Sequence, residues 1–119
     1  MANSRQSALN THHRVQLLDK IPAGITVIDR EGRILYYNDY CARFVDRKPE
    51  YIGKDIRACH KNPESIKKID RFLADLDGGH KEEIYYETER NGVKLGVRVS
   101  PFDLDGKRIG FIQYFALIR

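Results

Sequence analysis

The sequence predicts an α+β domain in which a five-stranded antiparallel sheet carries its helices on one face. The first observation behind this is the order of apolar periodicities along the chain: helical spacing, two strands, helical spacing again, three strands. The second is that short turns rich in Gly, Asn and Asp join the strands within each group, which makes those neighbours antiparallel. Size gives the third: among the 119 residues are 12 Ile, 9 Leu, 6 Val and 5 Phe, enough for one domain with one sizeable core.

Residues 1–8 are small and polar, without periodicity, and predict a frayed start. Leu9, Val15, Leu17, Leu18 and Ile21 form an uneven apolar stripe of an amphipathic helix, stopped by Pro22, which steers Ile21 away from helical geometry. We therefore divide the chain into a tail and helix over 1–20 and the domain proper over 21–119. Two strand-like runs follow, 24–29 and 33–37, joined through Arg30-Glu31-Gly32, where glycine supplies a positive φ. Asn38 is placed to cap a short helix bearing Tyr40, Cys41, Phe44 and Val45, closed by Pro49. Asn62-Pro63 is a second helix start, after which Ile66, Ile69, Phe72, Leu73 and Leu76 recur at helical spacing as far as Gly78-Gly79. Strands over 81–89, 93–101 and 107–118 complete the chain, joined at Arg90-Asn91-Gly92 and Asp103-Leu104-Asp105-Gly106. The face carrying Val93, Leu95, Val97 and Val99 needs an apolar cover, which Phe44, Ile66, Ile69 and Phe72 provide. The last strand is apolar on both faces, Ile109, Phe111, Phe115 and Leu117 against Ile112, Tyr114, Ala116 and Ile118, so its second face calls for the N-terminal helix or a second subunit.

Composition excludes several classes. The 21 Lys and Arg are interleaved with 17 Asp and Glu, without a basic run of five, so the net charge of +4 predicts a mixed surface without direct nucleic-acid contact. Apolar runs such as Phe115-Ala116-Leu117-Ile118 fall far short of the ~18 residues that cross a bilayer. No positively charged start followed by an apolar run marks a secretory signal, so a cytoplasmic setting with Cys41 and Cys59 reduced is expected.

Three stretches, in this order and spacing, carry a resemblance. Ile21 to Asn38 (IPAGITVIDREGRILYYN) contains a helix end, a strand, an Asp-x-x-Gly turn at Asp29 to Gly32, a strand and an Asn; Tyr51-Ile52-Gly53-Lys54-Asp55-Ile56 lies in the middle; Gly106 to Ile112 (GKRIGFI) forms the final strand. Over residues 17–118 the chain resembles a PAS domain, the small sensory module of bacterial signalling proteins. The resemblance implies strand order 2-1-5-4-3 and a cavity between the sheet and helices, walled by residues 38–77. Such domains commonly end in Asp-Ile-Thr leading to an output module, where this chain has Leu117-Ile118-Arg119. Both an output domain, in the same or a partner chain, and a stand-alone domain remain open.

Among residues with chemistry of their own, Cys59-His60 is the conspicuous pair, placed just before the Asn62-Pro63 helix start. Adjacent side chains diverge, and no Cys-x-x-Cys accompanies them, which argues against zinc. Flavin photochemistry is disfavoured: the flavin-binding subclass carries its reactive Cys at the position matched by Ile56. Haem is a candidate cofactor, with His60 as iron ligand, although the best-known oxygen-sensing subclass takes its His from the long helix, here Ser65 to Ile69. The expected ligand cavity has Phe44, Ile56, Ile66, Ile69, Val97 and Phe111 as apolar walls, with His60 as polar anchor and Cys59 beside it. His12-His13 reads as a solvated pair and His80 as an exposed turn residue. Gly24 and Gly53 stand singly and form no phosphate loop.

No base, nucleophile and oxyanion site converge in the sequence, so the expectation is a non-catalytic sensory domain of a bacterial signalling or transcriptional regulator. It would bind a small ligand or cofactor and relay its presence through homodimer contacts. Two rivals stand beside it: a ligand-free dimerisation module, and a small enzyme with Cys59 as nucleophile and His60 as base.

Overall fold

A computed structural model describes residues 7–60, 62–79 and 82–118. Helix α1 (Thr11–Lys20) is followed by β1 (Gly24–Asp29), β2 (Ile34–Tyr37), α2 (Asp39–Phe44), α3 (Pro63–Asp77), β3 (Ile84–Arg90), β4 (Val93–Leu104) and β5 (Lys107–Leu117). The strands form one sheet in the order β2-β1-β5-β4-β3, every neighbour antiparallel. The fold class and strand order are those expected. The frayed start expected over 1–8 lies outside the described residues as far as residue 6, and the exposed turn expected at His80 lies outside them too.

The local chemistry explains the element ends. At the β1–β2 turn the Asp29 side chain accepts from the N–H groups of Glu31 and Arg33, both at 2.9 Å, while Gly32 takes φ +94°. Asn91 and Gly92, at φ +52° and +80°, make the two-residue turn between β3 and β4. Asn10, Asn38 and Asn62 each cap their helix through a side-chain oxygen. Asn38 does more. It is fully buried; its Oδ1 accepts from the N–H of both Ile25 and Cys41, and its Nδ2 donates to the carbonyls of Leu18 and Ala23. One side chain thus ties the end of α1, the start of β1 and the start of α2.

The elements differ from expectation in places: β3 begins at Ile84 and takes in Arg90, which was expected in the turn. Strand β4 continues through Pro101 to Leu104, because β3 already ends opposite Val99 and leaves the rest of β4 with β5 as its neighbour, an edge position that tolerates proline. The segment before α3 is not irregular: Ile56–Cys59 is a 3-10 turn, capped by Asp55, whose side chain accepts from the Arg57 N–H at 2.9 Å. The backbone at Asp55 also forms an antiparallel bridge with that of Arg33, which stitches this turn to the β1–β2 hairpin.

The helices cover one face of the sheet, where two apolar clusters form. Ile28, Ile34, Ile56, Ile69, Phe72, Leu76, Val99 and Phe111 make the first; Cys41, Leu95, Val97 and Phe115 make the second. Gly110 belongs to the sheet itself: a Cβ there would collide with the Ile28 carbonyl and lie 2.8 Å from Asp29 Cα, so β1 and β5 approach at a distance only glycine allows. Helix α1 buries none of its residues and packs chiefly on α2, leaving Val15 55% and Leu17 46% exposed.

Candidate functional site

The second cluster floors a cavity of about 450 Å³ between the sheet and the α2–α3 segment. Cys41, Leu95, Val97 and Phe115 are buried in that floor, and Phe44 and Ile69 extend it from the helices. Phe44 stacks edge-on against Phe115 with ring centroids 6.0 Å apart. The polar part of the wall comes from His60 ahead of α3, Ser65 and Lys68 on α3, Arg47 after α2, and Tyr86, Thr88 and Arg90 on β3, with Gln113 on β5. Gln113 Nε2 donates to the Tyr86 hydroxyl at 3.0 Å.

Strand register explains how polar groups reach an inner face. Tyr86, Thr88 and Arg90 pair with Val97, Leu95 and Val93, and alternation points all of them to the helix side. The inner phase of β3 thus runs from Ile84 through Tyr86 and Thr88 to Arg90, turning polar as it nears the Asn91-Gly92 turn. Arg47 comes from the segment after α2, where its Nε donates to Thr26 Oγ1 at 3.3 Å; Thr26 in turn lies 3.3 Å from Cys41 Sγ.

The expected wall residues divide. Phe44, Cys59, His60, Ile69 and Val97 line the cavity. Ile56 and Phe111 do not: both are packed in the first cluster, where the 3-10 turn and α3 close on β1 and β5 and fill the space. Ile66 is half-buried on α3 and does not line the cavity either. Their places are taken by Leu95, Phe115, Tyr86 and Gln113. Gln113 had a legible signal, as the single polar residue in the phase Phe111, Gln113, Phe115, Leu117 of an otherwise apolar strand. Arg90 had one as well, since it shares the parity of Ile84 and Tyr86. Arg47 and Lys68 carry no such mark.

Electrostatics separates Cys59 and His60 from an activated pair. Burial pushes the Cys59 thiol up, and burial followed by the nearby Arg47 and Arg90 guanidiniums holds His60 below its ordinary value of 6.5. The thiol is protonated and the imidazole neutral at neutral pH, the reverse of a thiolate–imidazolium couple. Burial likewise raises the Cys41 thiol. Among the described residues no three His, Cys, Asp or Glu side chains gather as a metal site, and no helix is long and apolar enough to cross a membrane.

The profile of the PAS domain family matches residues 15–116. The chain belongs to the PAS domain family. A search of curated proteins finds no match. Among solved structures, this PAS domain is similar to a C-terminal domain from Streptococcus mutans, at 23% identity and TM-score 0.79, over 93% of this chain and 87% of that one. It is also similar to the PAS domain of Bordetella pertussis BvgS, at 22% identity and TM-score 0.71, over 92% and 88%. A third similar structure is the PAS domain of the Cronobacter turicensis RpfR quorum-sensing receptor in complex with BDSF, at 16% identity and TM-score 0.61, over 83% and 96%. At these identities the likeness is one of fold.

Proposed function

We propose that this PAS domain senses a small molecule held in the cavity between its sheet and helices, as part of a cytoplasmic bacterial signalling or transcriptional regulator. The observation that carries the reading is the cavity itself: about 450 Å³, with an apolar floor and a polar wall, inside the roughly 300–1,000 Å³ range and of the make-up that small-ligand sites share. A quorum-sensing receptor PAS domain of similar fold has been solved in complex with BDSF. The output lies in the same chain or in a partner, and occupancy is relayed through contacts between two copies. The surface available for that contact includes Val15 and Leu17 on α1 and Ile118 after β5, all exposed. Sedimentation of the chain, alone and without residues 1–20, tests the dimer; equal monomer masses at micromolar concentration reject it.

The test of the sensor reading is recovery of the ligand. Protein purified from its host is denatured and its small molecules identified by mass spectrometry, beside Val97→Phe, which fills the floor. A compound released by the natural sequence and missing from Val97→Phe supports the reading. Nothing released, together with an unchanged dimer, favours the ligand-free interaction module.

One observation favours haem as the occupant: His60 presents a neutral imidazole, the ligating form, at the cavity wall. His60 would hold the iron, with Phe44 and Phe115 against the macrocycle. Bound haem would supply an iron centre that responds to gases or redox state. A Soret band after haem titration, lost in His60→Ala, supports this; no band rejects it.

A further inference from the structure

The half-buried arginines of the described residues are of two kinds. Arg57 and Arg108, away from the cavity, hold carboxylates: Arg57 donates to Asp55 and Asp70 at 2.8 and 2.7 Å, and Arg108 pairs with Asp103. Arg47 and Arg90 line the cavity, and among the described residues neither is paired with a carboxylate. Arg47 reaches the Thr26 hydroxyl at 3.3 Å and the Asp46 carbonyl at 2.9 Å; Arg90 reaches the Thr88 hydroxyl and the Glu89 carbonyl, both at 3.1 Å. From α3, the Lys68 ammonium stands 4.4 Å over the Tyr86 ring, with no carboxylate partner among the described residues. The one acidic side chain on the wall, Asp46, is engaged by the Tyr51 hydroxyl at 3.0 Å.

Three cations from three separate elements therefore face one cavity that contains a single acid, above a floor of Leu95, Val97 and Phe115. Guanidinium groups removed from bulk water are satisfied best by an anion, and their planar forks match a carboxylate. The same field is felt by their neighbours, since both arginines act against protonation of His60.

Resting on the reading of the cavity as a ligand site, we propose that its ligand is an amphipathic organic carboxylate, the carboxylate held by Arg47 and Arg90 with Lys68 near, and the apolar body laid on Phe44, Leu95, Val97 and Phe115. Position divides the work. The β3 terminus and the segment after α2 supply charge, while α2, β4 and β5 supply apolar area, so affinity rises with chain length and selectivity comes from the head group.

Decanoate, 1-decanol and decylamine share the apolar body and differ in head charge, which makes them the probes. Calorimetry and thermal shift on the full chain should show decanoate binding at least tenfold more tightly than 1-decanol, with decylamine weakest. Arg47→Gln and Arg90→Gln should each weaken decanoate about tenfold and leave 1-decanol unchanged, the latter also showing that the variant is folded. Lys68→Gln, at the solvent-exposed rim of the cavity, should give a smaller loss. Equal binding of decanoate and 1-decanol, or decanoate affinity indifferent to both arginine variants, overturns the carboxylate while leaving a neutral-ligand sensor standing. Binding of none of the three probes also overturns it, and the fate of the sensor reading then rests on the separate mass-spectrometric recovery.

Discussion

Asn38→Ala removes four hydrogen bonds at the one point where α1, β1 and α2 meet. The cap bond to the Cys41 N–H, at 3.0 Å, is worth about 1 kcal/mol. The bond from Ile25 N–H at 2.9 Å and those to Leu18 and Ala23 carbonyls at 2.7 and 2.9 Å add about 1 kcal/mol each, and more where water cannot replace the lost partner. Asn38 is 0% exposed, so replacement by water is poor, and the expected loss is about 3–5 kcal/mol. Domain stabilities run at roughly 0.05–0.15 kcal/mol per residue, which makes this a large fraction of the total and a fall in Tm of roughly 10–25 °C. Asn62→Ala is the internal control: Asn62 is an exposed cap with one bond, to Glu64 N–H at 2.9 Å, and should cost about 1 kcal/mol. Urea unfolding followed by circular dichroism measures both. Asn38→Ala should also free α1, seen as faster tryptic cleavage at Lys20. If the two alanine variants differ by less than 1 kcal/mol, Asn38 is an ordinary cap and the reasoning fails.

Further outcomes follow from other sites. Gly110→Ala should cost about 1–3 kcal/mol or prevent folding, because its methyl meets the Ile28 carbonyl across the β1–β5 pair; a neutral effect in urea melts would show that the pair can spread. His60 is held below its ordinary 6.5, so the unfolded chain takes up the proton first; its contribution to stability is complete above about pH 6.5 and is lost as pH falls through the folded value. His60→Gln should therefore lose less Tm than the natural sequence between pH 7 and 5.5, and parallel pH profiles would contradict the burial of the imidazole. A thiol reagent at pH 8 should label half-buried Cys59 more slowly than a free thiol and Cys41, at 1% exposure, only on unfolding; a fast, acidic Cys59 would revive the nucleophile reading. Arg57→Lys should lose about 1–2 kcal/mol, since an ammonium cannot span Asp55, Asp70 and the Glu31 carbonyl as the guanidinium does, and an unchanged urea midpoint would rule out that bridging role.

The sheet was legible because its signals are local. Asp29 and Gly32 make a turn whatever the rest of the chain does, as do Asn91 and Gly92, and Asn38 and Asn62 cap the helices that follow them. The cavity was only half legible, because its wall is set by which apolar residues are used up elsewhere. Ile56 and Phe111 are as apolar as Val97 and Phe115, and nothing in their spelling tells that the 3-10 turn at Ile56–Cys59 seals one end of the sheet. That turn is held by a backbone bridge between Asp55 and Arg33 and by Arg57 reaching Asp70, contacts made between segments distant in sequence. Arg47 was invisible for a similar reason. It sits in an irregular segment without periodicity, and its direction is set by Thr26 on β1.

The uneven filling of the core gives the cavity its meaning. Over the first cluster, α3 and the 3-10 turn bring Ile56, Ile69, Phe72 and Leu76 onto Val99 and Phe111. Over the second, the cover is the six-residue α2 and the segment after it, with Phe44 the large apolar side chain reaching Phe115. A molecule seated there would supply contacts that the chain itself leaves unmade, so binding and stability are linked: at a hundredfold excess over Kd it would add about 2.7 kcal/mol. The added contacts would fall on α2, whose first turn is joined through Asn38 to Leu18 of α1. A ligand that firms α2 therefore acts on the helix that presents Val15 and Leu17 to the outside, and Asn38→Ala should break that link while leaving the cavity's floor in place. Ligand-dependent protection of Lys20 from trypsin, present in the natural sequence and lost in Asn38→Ala at matched occupancy, is the result this coupling requires; protection that survives in the variant would place the relay elsewhere.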